Sequence, residues 1–595
     1  MQIENLITEH IETWTSAVRQ KSATGRGSSK KIELYGIKKL RSLILELAVR
    51  GKLVPQYASD EPASVLLERI AEEKAQLVKD KKINKPKKLP EIKENDKAFQ
   101  LPNGWEWIRL GTIGNIFNGN SVNAKLKVDK YTDVDGLPFI ATKDVQYGFE
   151  DFDYHNGVNI PLGEPKFKIA HKGAVLICSE GGSAGKKCGL TNQDVCFGNK
   201  LYANELYGNI NPRYILSAYL TPTFYHSFSK SMTGIIGGIS TAKFVELLVP
   251  VPPLGEQHRI VAKVDEMMLL CDQLEQQTEF CIDAHKTLVE VLLNTLTDAK
   301  NTTELQTNWA RVSEFFDTLF TTEHSIDQLK QTILQLAVMG KLVPQDSSDE
   351  PASKLLARIA EEKSQLIADK KIKKQKALPL ITSEEKPFEL PSGWEWCRVD
   401  SLIDPKRDIS YGIIKLEAEP DSKGIPTLRC SDVKPRYIDL NNVRRVSEEI
   451  EEPYKRTRLQ GGEVLVNIRG TLGGVSLVPK ELKGYNIARE VAMLPLHSSI
   501  SGECIVNIIS SPYFWRVIES NLKGIAYKGL NLNLLRDFLI PLPPHAEQLK
   551  ASDEVNLLMT VCAQLKQQIN QAQQTQLNLT DALTSIGSSG DTNNG

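Results

Sequence analysis

Several strings in this chain hold residue types that could do chemistry, and they fall into two groups: imitations of catalytic motifs, and turns suited to binding. EGGSAGKK (180–187) has the glycine and lysine content of a phosphate loop. Such a loop opens on a glycine and ends on a hydroxyl that holds magnesium. Glu180 and Lys187 stand at those places, so no nucleotide site is expected. Asn211-Pro212-Arg213-Tyr214 departs from the Asn-Pro-Pro-aromatic loop of adenine methyltransferases by one arginine, and no glycine-rich cofactor loop precedes it. It reads as the start of a helix. The nine histidines form no HExxH, the nine cysteines no CxxC, and no Ser/His/Asp or Cys/His set can be assembled. Metal ligation, nucleophilic catalysis and a disulfide framework are therefore not expected. The cysteines read as small buried hydrophobes of a reducing compartment.

The binding turns come in pairs, found by laying the chain against itself. FIATKDV (139–145) matches TLRCSDV (427–433) and sets Asp144 on Asp432. Each short strand ends in polar or basic groups, Thr142 and Lys143 in one and Arg429 and Ser431 in the other. These suit hydrogen bonds to base edges and phosphates; the same strings suit a surface turn capped by the aspartate. CSEGGSAGKK (178–187) falls on NIRGTLGG (467–474). Glycine lets a backbone approach phosphate closely, and Lys186, Lys187 and Arg469, with the hydroxyls of Ser179, Ser183 and Thr471, could neutralise or read what lies there. A tight strand-to-strand turn explains the pair equally well. TGIIGGISTAK (233–243) falls on KGIAYKGLNLN (523–533) and offers Thr241, Lys243, Tyr527, Lys528, Asn531 and Asn533, either as a contact loop or as the lead-in to the last helix.

What must position these turns is a doubled scaffold. Residues 37–109 recur without a gap at 326–398, with 47 of 73 paired positions identical. A repeat of that length means two whole modules in tandem rather than a solenoid, and a two-fold protein suits a two-part ligand such as duplex DNA. Within each copy, apolar residues at helical spacing (Ile37, Leu40, Ile44, Leu47) stop at Gly51, and Asp60-Glu61-Pro62 opens a second helix with an expected acidic cap. A basic, proline-broken linker follows, and then the doubled tryptophans Trp105/Trp107 and Trp394/Trp396, read as packing where helix meets recognition domain. Each variable span closes on a proline signature, LLVPVPPLGEQ (247–257) or FLIPLPPHAEQ (538–548), and a long helix follows. On the first, Ile260, Val264, Met267, Cys271, Leu274, Thr278, Cys281, His285, Leu288, Leu292 and Thr295 step by fours and threes. On the second, Val555, Leu558, Cys562, Leu565, Ile569, Ala572, Gln576, Leu579 and Leu583 do the same. That is a heptad seam, on helices expected to reach roughly 50 Å at ~1.5 Å per residue.

Composition sets outer bounds. A net charge of −1 gives no basic footprint, and residues 101–250 carry 14 Lys+Arg against 13 Asp+Glu, residues 390–541 21 against 19. A lone DNA binder is usually basic, so a partner would supply part of the positive field. No apolar run suits a membrane span, and the polar, acidic N-terminus is not a signal peptide; a cytoplasmic location without membrane contact is expected.

In its scaffold–variable–scaffold–variable order the chain resembles the specificity (S) subunits of type I restriction–modification enzymes. The resemblance rests on LPxGWEW, the strand-end TKDV, the GAVLI-plus-glycine turn and PVPPLGEQHRIV, and covers residues 37–585. The second copy departs at CSD for TKD and at His545 for leucine. It implies an α+β, pseudo-two-fold tandem duplication, with two mixed α/β target-recognition domains separated and joined by long antiparallel coiled-coil helices. Expected boundaries are an N-terminal extension (1–36), scaffold repeat 1 (37–100), recognition domain 1 (101–253), spacer helix 1 (254–300), scaffold repeat 2 (301–389), recognition domain 2 (390–544), spacer helix 2 (545–586) and a tail (587–595). Each recognition domain would read one half of a split, asymmetric site in double-stranded DNA. The scaffold would recruit two modification subunits, and restriction subunits would join them. S-adenosylmethionine, ATP and Mg2+ would reside on those partners; this chain would hold no cofactor and catalyse nothing. The competing expectations are a coiled-coil adaptor whose variable domains bind proteins, and a fused methyltransferase or nuclease.

Overall fold

The computed structural model describes residues 7–20, 32–81, 83, 85, 87–234, 237–373, 378–420, 424–470, 472–522 and 529–589. They form two compact units, one of residues 1–281 with 572–595 and one of 282–571.

In the first unit the scaffold opens with α1 (Tyr35–Val49) and α2 (Ala63–Lys79). Ile37, Leu40 and Ile44 of α1 and Leu66 and Ile70 of α2 are buried together, as their spacing requires. Helix α1 ends at Gly51, whose φ of +66° only glycine adopts cheaply, and a Cβ there would meet Pro102. Gly340 repeats the same φ and the same proline neighbour, Pro391, in the second unit. The expected acidic cap on α2 is corrected by the structure. The Ala63 N–H is taken by the Gly104 carbonyl at 2.8 Å, which frees the Asp60 carboxylate to bind Arg259 at 2.5 Å. In the second unit the Gly393 carbonyl caps Ala352 in the same way.

The recognition domain of the first unit comprises β1 (Glu106–Arg109), β2 (Gly114–Asn118), β3 (Leu137–Ile140), β4 (Asn159–Ile160), β5 (Ile169–Ala170), β6 (Val175–Cys178), β7 (Cys188–Leu190), β8 (Val195–Phe197), β9 (Leu201–Leu206), α3 (Pro212–Tyr219), α4 (Pro222–Ser231) and β10 (Leu248–Val251). An antiparallel sheet has the order β2-β9-β6-β7; a second has β4-β3-β8-β5, with β3 and β8 parallel. Strand β6 is buried at every position, which explains its unbroken run VLIC. The long helix α5 (Leu254–Asp298) follows.

The second unit contains α6 (Thr302–Glu314), α7 (Glu323–Val338), α8 (Ala352–Ala368), β11 (Glu395–Arg398), β12 (Ser410–Tyr411), β13 (Ile425–Leu428), β14 (Val433–Lys434), β15 (Tyr437–Ile438), β16 (Arg444–Val446), β17 (Val464–Asn467), β18 (Val475–Leu477), β19 (Asn486–Ile487), β20 (Val491–Leu494), α9 (Gly502–Ser510), α10 (Pro512–Leu522), β21 (Leu539–Leu542) and α11 (His545–Ser589). Its sheets run β12-β20-β17-β18 and β16-β13-β19, again with one parallel pair, β13 and β19. Two spans of differing sequence thus share the strand order of the antiparallel sheet, while the sheet with the parallel pair has four strands in the first unit and three in the second.

Each long helix has 45 residues, or roughly 67 Å at ~1.5 Å per residue, longer than the heptad run suggested. The buried face of α5 follows the expected seam from Ile260 to Leu274 and then moves by one residue, to Val289, Leu293 and Leu296, leaving Leu288 half exposed. On α11 Thr580 is buried in place of Leu579, while Leu583, on the expected seam, stays buried. The cause is period: a straight helix turns every 3.6 residues, a heptad seam every 3.5, and the two drift apart along such a length. In the first unit Ile260, Val264 and Leu274 share a core with Leu583. In the second, Val289, Leu293 and Leu296 share one with Val555 and Cys562. His285, on the expected seam, places Nε2 3.2 Å from the Thr318 carbonyl.

Seven of the nine cysteines are buried, and burial pushes Cys178 and Cys504 up to about 12; these thiols stay protonated and act as packing. No helix among the described residues is long and apolar enough to cross a membrane, and none of those residues form a cluster suited to a metal ion.

Candidate nucleic-acid interface

In the first unit the three candidate segments, far apart in sequence, meet at one place. Thr142 and Lys143 lie in the turn after β3. Asp144 is buried in that turn and accepts the Ala141 N–H at 2.8 Å, so its role is to fold the turn back on itself. Lys143 is exposed, 3.7 Å from Asp144. Residues 179–187 form the turn between β6 and β7, and Lys187 reaches from it to the Thr142 carbonyl at 3.3 Å. Gly181 N–H donates to Gly237 at 2.8 Å and Ile239 N–H to Ser179 at 3.0 Å, which brings in the third segment. Ser183 is partly exposed and Lys186 exposed, while Ser179 is buried with its backbone fully engaged. Thr241 and Lys243 sit in a short helical turn capped by Ser240, with Lys243 open to solvent.

The second unit repeats the convergence. Asn467, at the end of β17, donates from Nδ2 to the carbonyls of Cys430 (2.9 Å) and Val433 (3.1 Å), and Leu530 N–H donates to Ile468 at 2.7 Å. The last bond is the counterpart of Ile239 to Ser179. Here the side chains differ. Arg429 forms a forked pair with Asp432, 3.1 Å on each arm, and also donates to the Asn442 carbonyl. Ser431 donates to the same aspartate. Asn531 caps a short helix by accepting the Asn533 N–H at 2.9 Å; Asn533 and Arg469 are exposed. Thr471, Tyr527 and Lys528 lie outside the described residues.

Several relevant groups were not read from sequence. Glu180 and Lys200 form an ion pair at 3.2 Å at the meeting point of the first unit. Sheet register sets Arg469 and Glu490 at the corresponding places in the second, where Ile468 N–H donates to Glu490 as Ser179 N–H does to Lys200, so acid and base have changed sides. Tyr147 and Tyr225 supply aromatic faces to Lys187 (5.0 Å) and Lys186 (5.6 Å). An ammonium parked on a ring and a carbonyl, rather than on a carboxylate, keeps most of its field for an anion. Replacing Lys187 by Met is expected to weaken DNA binding with little change in sequence preference and to lower the slope of log affinity against log salt by about 1, measured by fluorescence anisotropy across a salt series.

The junction below each domain is built twice from the same parts. Trp105 Nε1 donates to buried Glu256 at 2.9 Å, and Trp394 Nε1 to buried Glu547 at 2.9 Å. Gln257 accepts the Asn211 N–H and donates to the Pro252 carbonyl; Gln548 accepts the Ser501 N–H and donates to Pro543. The repeated EQ after the prolines was the signal for this clamp, and the tryptophans are its packing, as expected. Asn211-Pro212 starts α3, with Asn211 as its cap. Burial raises the carboxyl pKa of both Glu256 and Glu547 above the ordinary range, opposed by the indole hydrogen bonds. The folded state then holds protons that the unfolded chain releases, so stability falls as pH rises from the unfolded toward the folded pKa. Paired Glu256→Gln and Glu547→Gln changes are expected to flatten that slope, with the gain in unfolding temperature over the parent larger at pH 8 than at pH 5.

A family model described as the type I restriction modification DNA specificity domain matches residues 102–280. The chain is 42% identical over 596 residues to the type I restriction enzyme EcoAI specificity subunit of Escherichia coli, covering 98% of this chain and 99% of that one. It is 42% identical over 611 residues to the EcoEI specificity subunit of Escherichia coli, with the same coverage. A crystal structure of the HsdS subunit from Thermoanaerobacter tengcongensis aligns with 83% of this chain and 99% of its own at 16% identity and a TM-score of 0.39.

Proposed function

Because the chain belongs to the family of type I restriction enzyme specificity subunits, we propose that its two recognition domains each read one half of a bipartite, asymmetric DNA site and direct adenine methylation or restriction by partner subunits. The observation that carries this reading is the twofold convergence of three segments on one strand order with different side chains. A common frame places the turns; Lys187, Lys186 and Lys243 on one side, and Arg469 and Asn533 on the other, give each half its own chemistry. The chain itself is non-catalytic on this reading. S-adenosylmethionine, ATP and Mg2+ belong to the two modification subunits and the restriction subunits, and the assembly works in the cytoplasm. The long helices pack antiparallel as a spacer; half-sites about one turn, ~34 Å, apart suit a two-fold reader and lie within their reach. Near-neutral charge fits a protein whose partners help to clamp the duplex. Footprinting of the complex with its modification subunit on duplex DNA tests this: two protected blocks separated by a fixed gap are expected, and a complex that protects no sequence selectively would refute it.

A further inference from the structure

Behind each recognition turn stands a strut that reaches the long helix. In the second unit it is Arg436, in the turn between β14 and β15, directly after the segment that holds Arg429 and Ser431. Arg436 has a φ of +69°, in a region that side-chain-bearing residues seldom occupy. Its side chain is only 19% exposed, and its ion pair with Glu503 is a long one, at 3.8 Å. The guanidinium instead donates to the amide oxygens of Asn507 on α9 and Asn556 on α11. A strained backbone and a mostly buried cation with only a long ion pair are both costs that stability alone does not call for.

The first unit reaches the same end with other parts. Arg213 of α3 grips Asp265 of α5, Nε to the two carboxylate oxygens at 2.7 and 3.0 Å. Its guanidinium lies 4.7 Å from the ring centroid of Phe149, which follows the turn of Thr142 and Lys143. Asp265 and Asn556 occupy the same place, the twelfth residue, in their 45-residue helices. Two spans that differ in sequence therefore each join the recognition turn to one equivalent point on the long helix, through an arginine that sits on different elements.

We infer that Arg436 and Arg213 are positioning residues: each fixes its recognition turn against the long helix and so governs base discrimination in its own half of the target. This rests on the DNA-reading function proposed above. The test uses the full chain expressed with its modification subunits, with methylated adenines in host genomic DNA mapped by sequencing. Arg436→Ala and Asn556→Ala are expected to blur bases in the same half of the motif, by roughly tenfold in discrimination at one or more positions, and Arg213→Ala to blur the other half. Asn556→Asp, which offers Arg436 the carboxylate that Arg213 already has, is expected to keep the parent motif. Asn556 is exposed, so its variants keep the fold even where Arg436→Ala does not. Variants that leave both halves intact, or that degrade both halves together, would overturn the inference. A parent strain with no motif that depends on this gene would instead remove the DNA-reading function itself.

Discussion

Replacing residues 390–544 by the corresponding span of a related subunit is expected to change one half of the methylated motif completely and leave the other half, and the gap, as they were. The reason is mechanical. The first and last strands of each recognition domain pair with each other, Glu106 with Val251 on β1 and β10 and Glu395 with Leu542 on β11 and β21. The chain thus enters and leaves each domain at one spot, directly above the Trp–Glu and Gln clamp. A domain whose chain enters and leaves at one doubled strand can be exchanged without altering the long helices, which on the proposed reading set the distance. Each mismatched base pair costs about 1–3 kcal/mol, so a half-site of a few bases changes discrimination by orders of magnitude, well within reach of methylation sequencing. A change in both halves, or in neither, would contradict the modular account.

The second large effect is expected at the clamp. Gln548→Leu removes an amide that is fully buried and satisfies two backbone groups, Ser501 N–H at 3.0 Å and the Pro543 carbonyl at 2.9 Å. Each group left unpaired in the interior costs about 1–3 kcal/mol, and the loss falls where α9, β21 and α11 meet. A clear drop in unfolding temperature is expected from circular dichroism, together with loss of recognition in one half-site. Gln564→Leu, exposed on the same helix, is expected to leave both unchanged. Equal stability of Gln548→Leu and the parent would show that the clamp does not hold the domain.

Local signals carried far in this sequence where one physical rule acts alone. Helical spacing located the scaffold helices, Gly51 their end, and the doubled prolines the start of the long helices, because these follow from period and from backbone freedom. The readings that changed were those in which two rules compete. Asp60 had the type and place of a cap, but the carbonyl of Gly104, 44 positions along the chain, filled that role and left the aspartate to Arg259. The heptad seam was correct for four turns and then lost to the natural pitch of a straight helix. Arg429 had the type of a base reader, yet it is forked onto Asp432, three residues away, and its guanidinium is largely spent there. Strand order was not legible at all: the parallel pairing of β3 with β8 joins segments 57 positions apart at Cys196 and Phe139, and nothing local announces it. The candidate segments were legible one by one through comparison of the two halves, while their meeting depends on the Lys187 to Thr142 and Ile239 to Ser179 bonds, which only the fold supplies. Glu180 was visible only as a flaw in a phosphate loop, and Lys200 not at all, until they came within 3.2 Å of each other.

The central claim is that this chain chooses the DNA and that its unrepeated spans make the choice. Sequencing of methylated adenines in host DNA, with and without this gene, tests it most directly. The account predicts a single bipartite, non-palindromic motif that is present with the gene and absent without it. A motif that persists without the gene, or one that is palindromic or a single block, would contradict it.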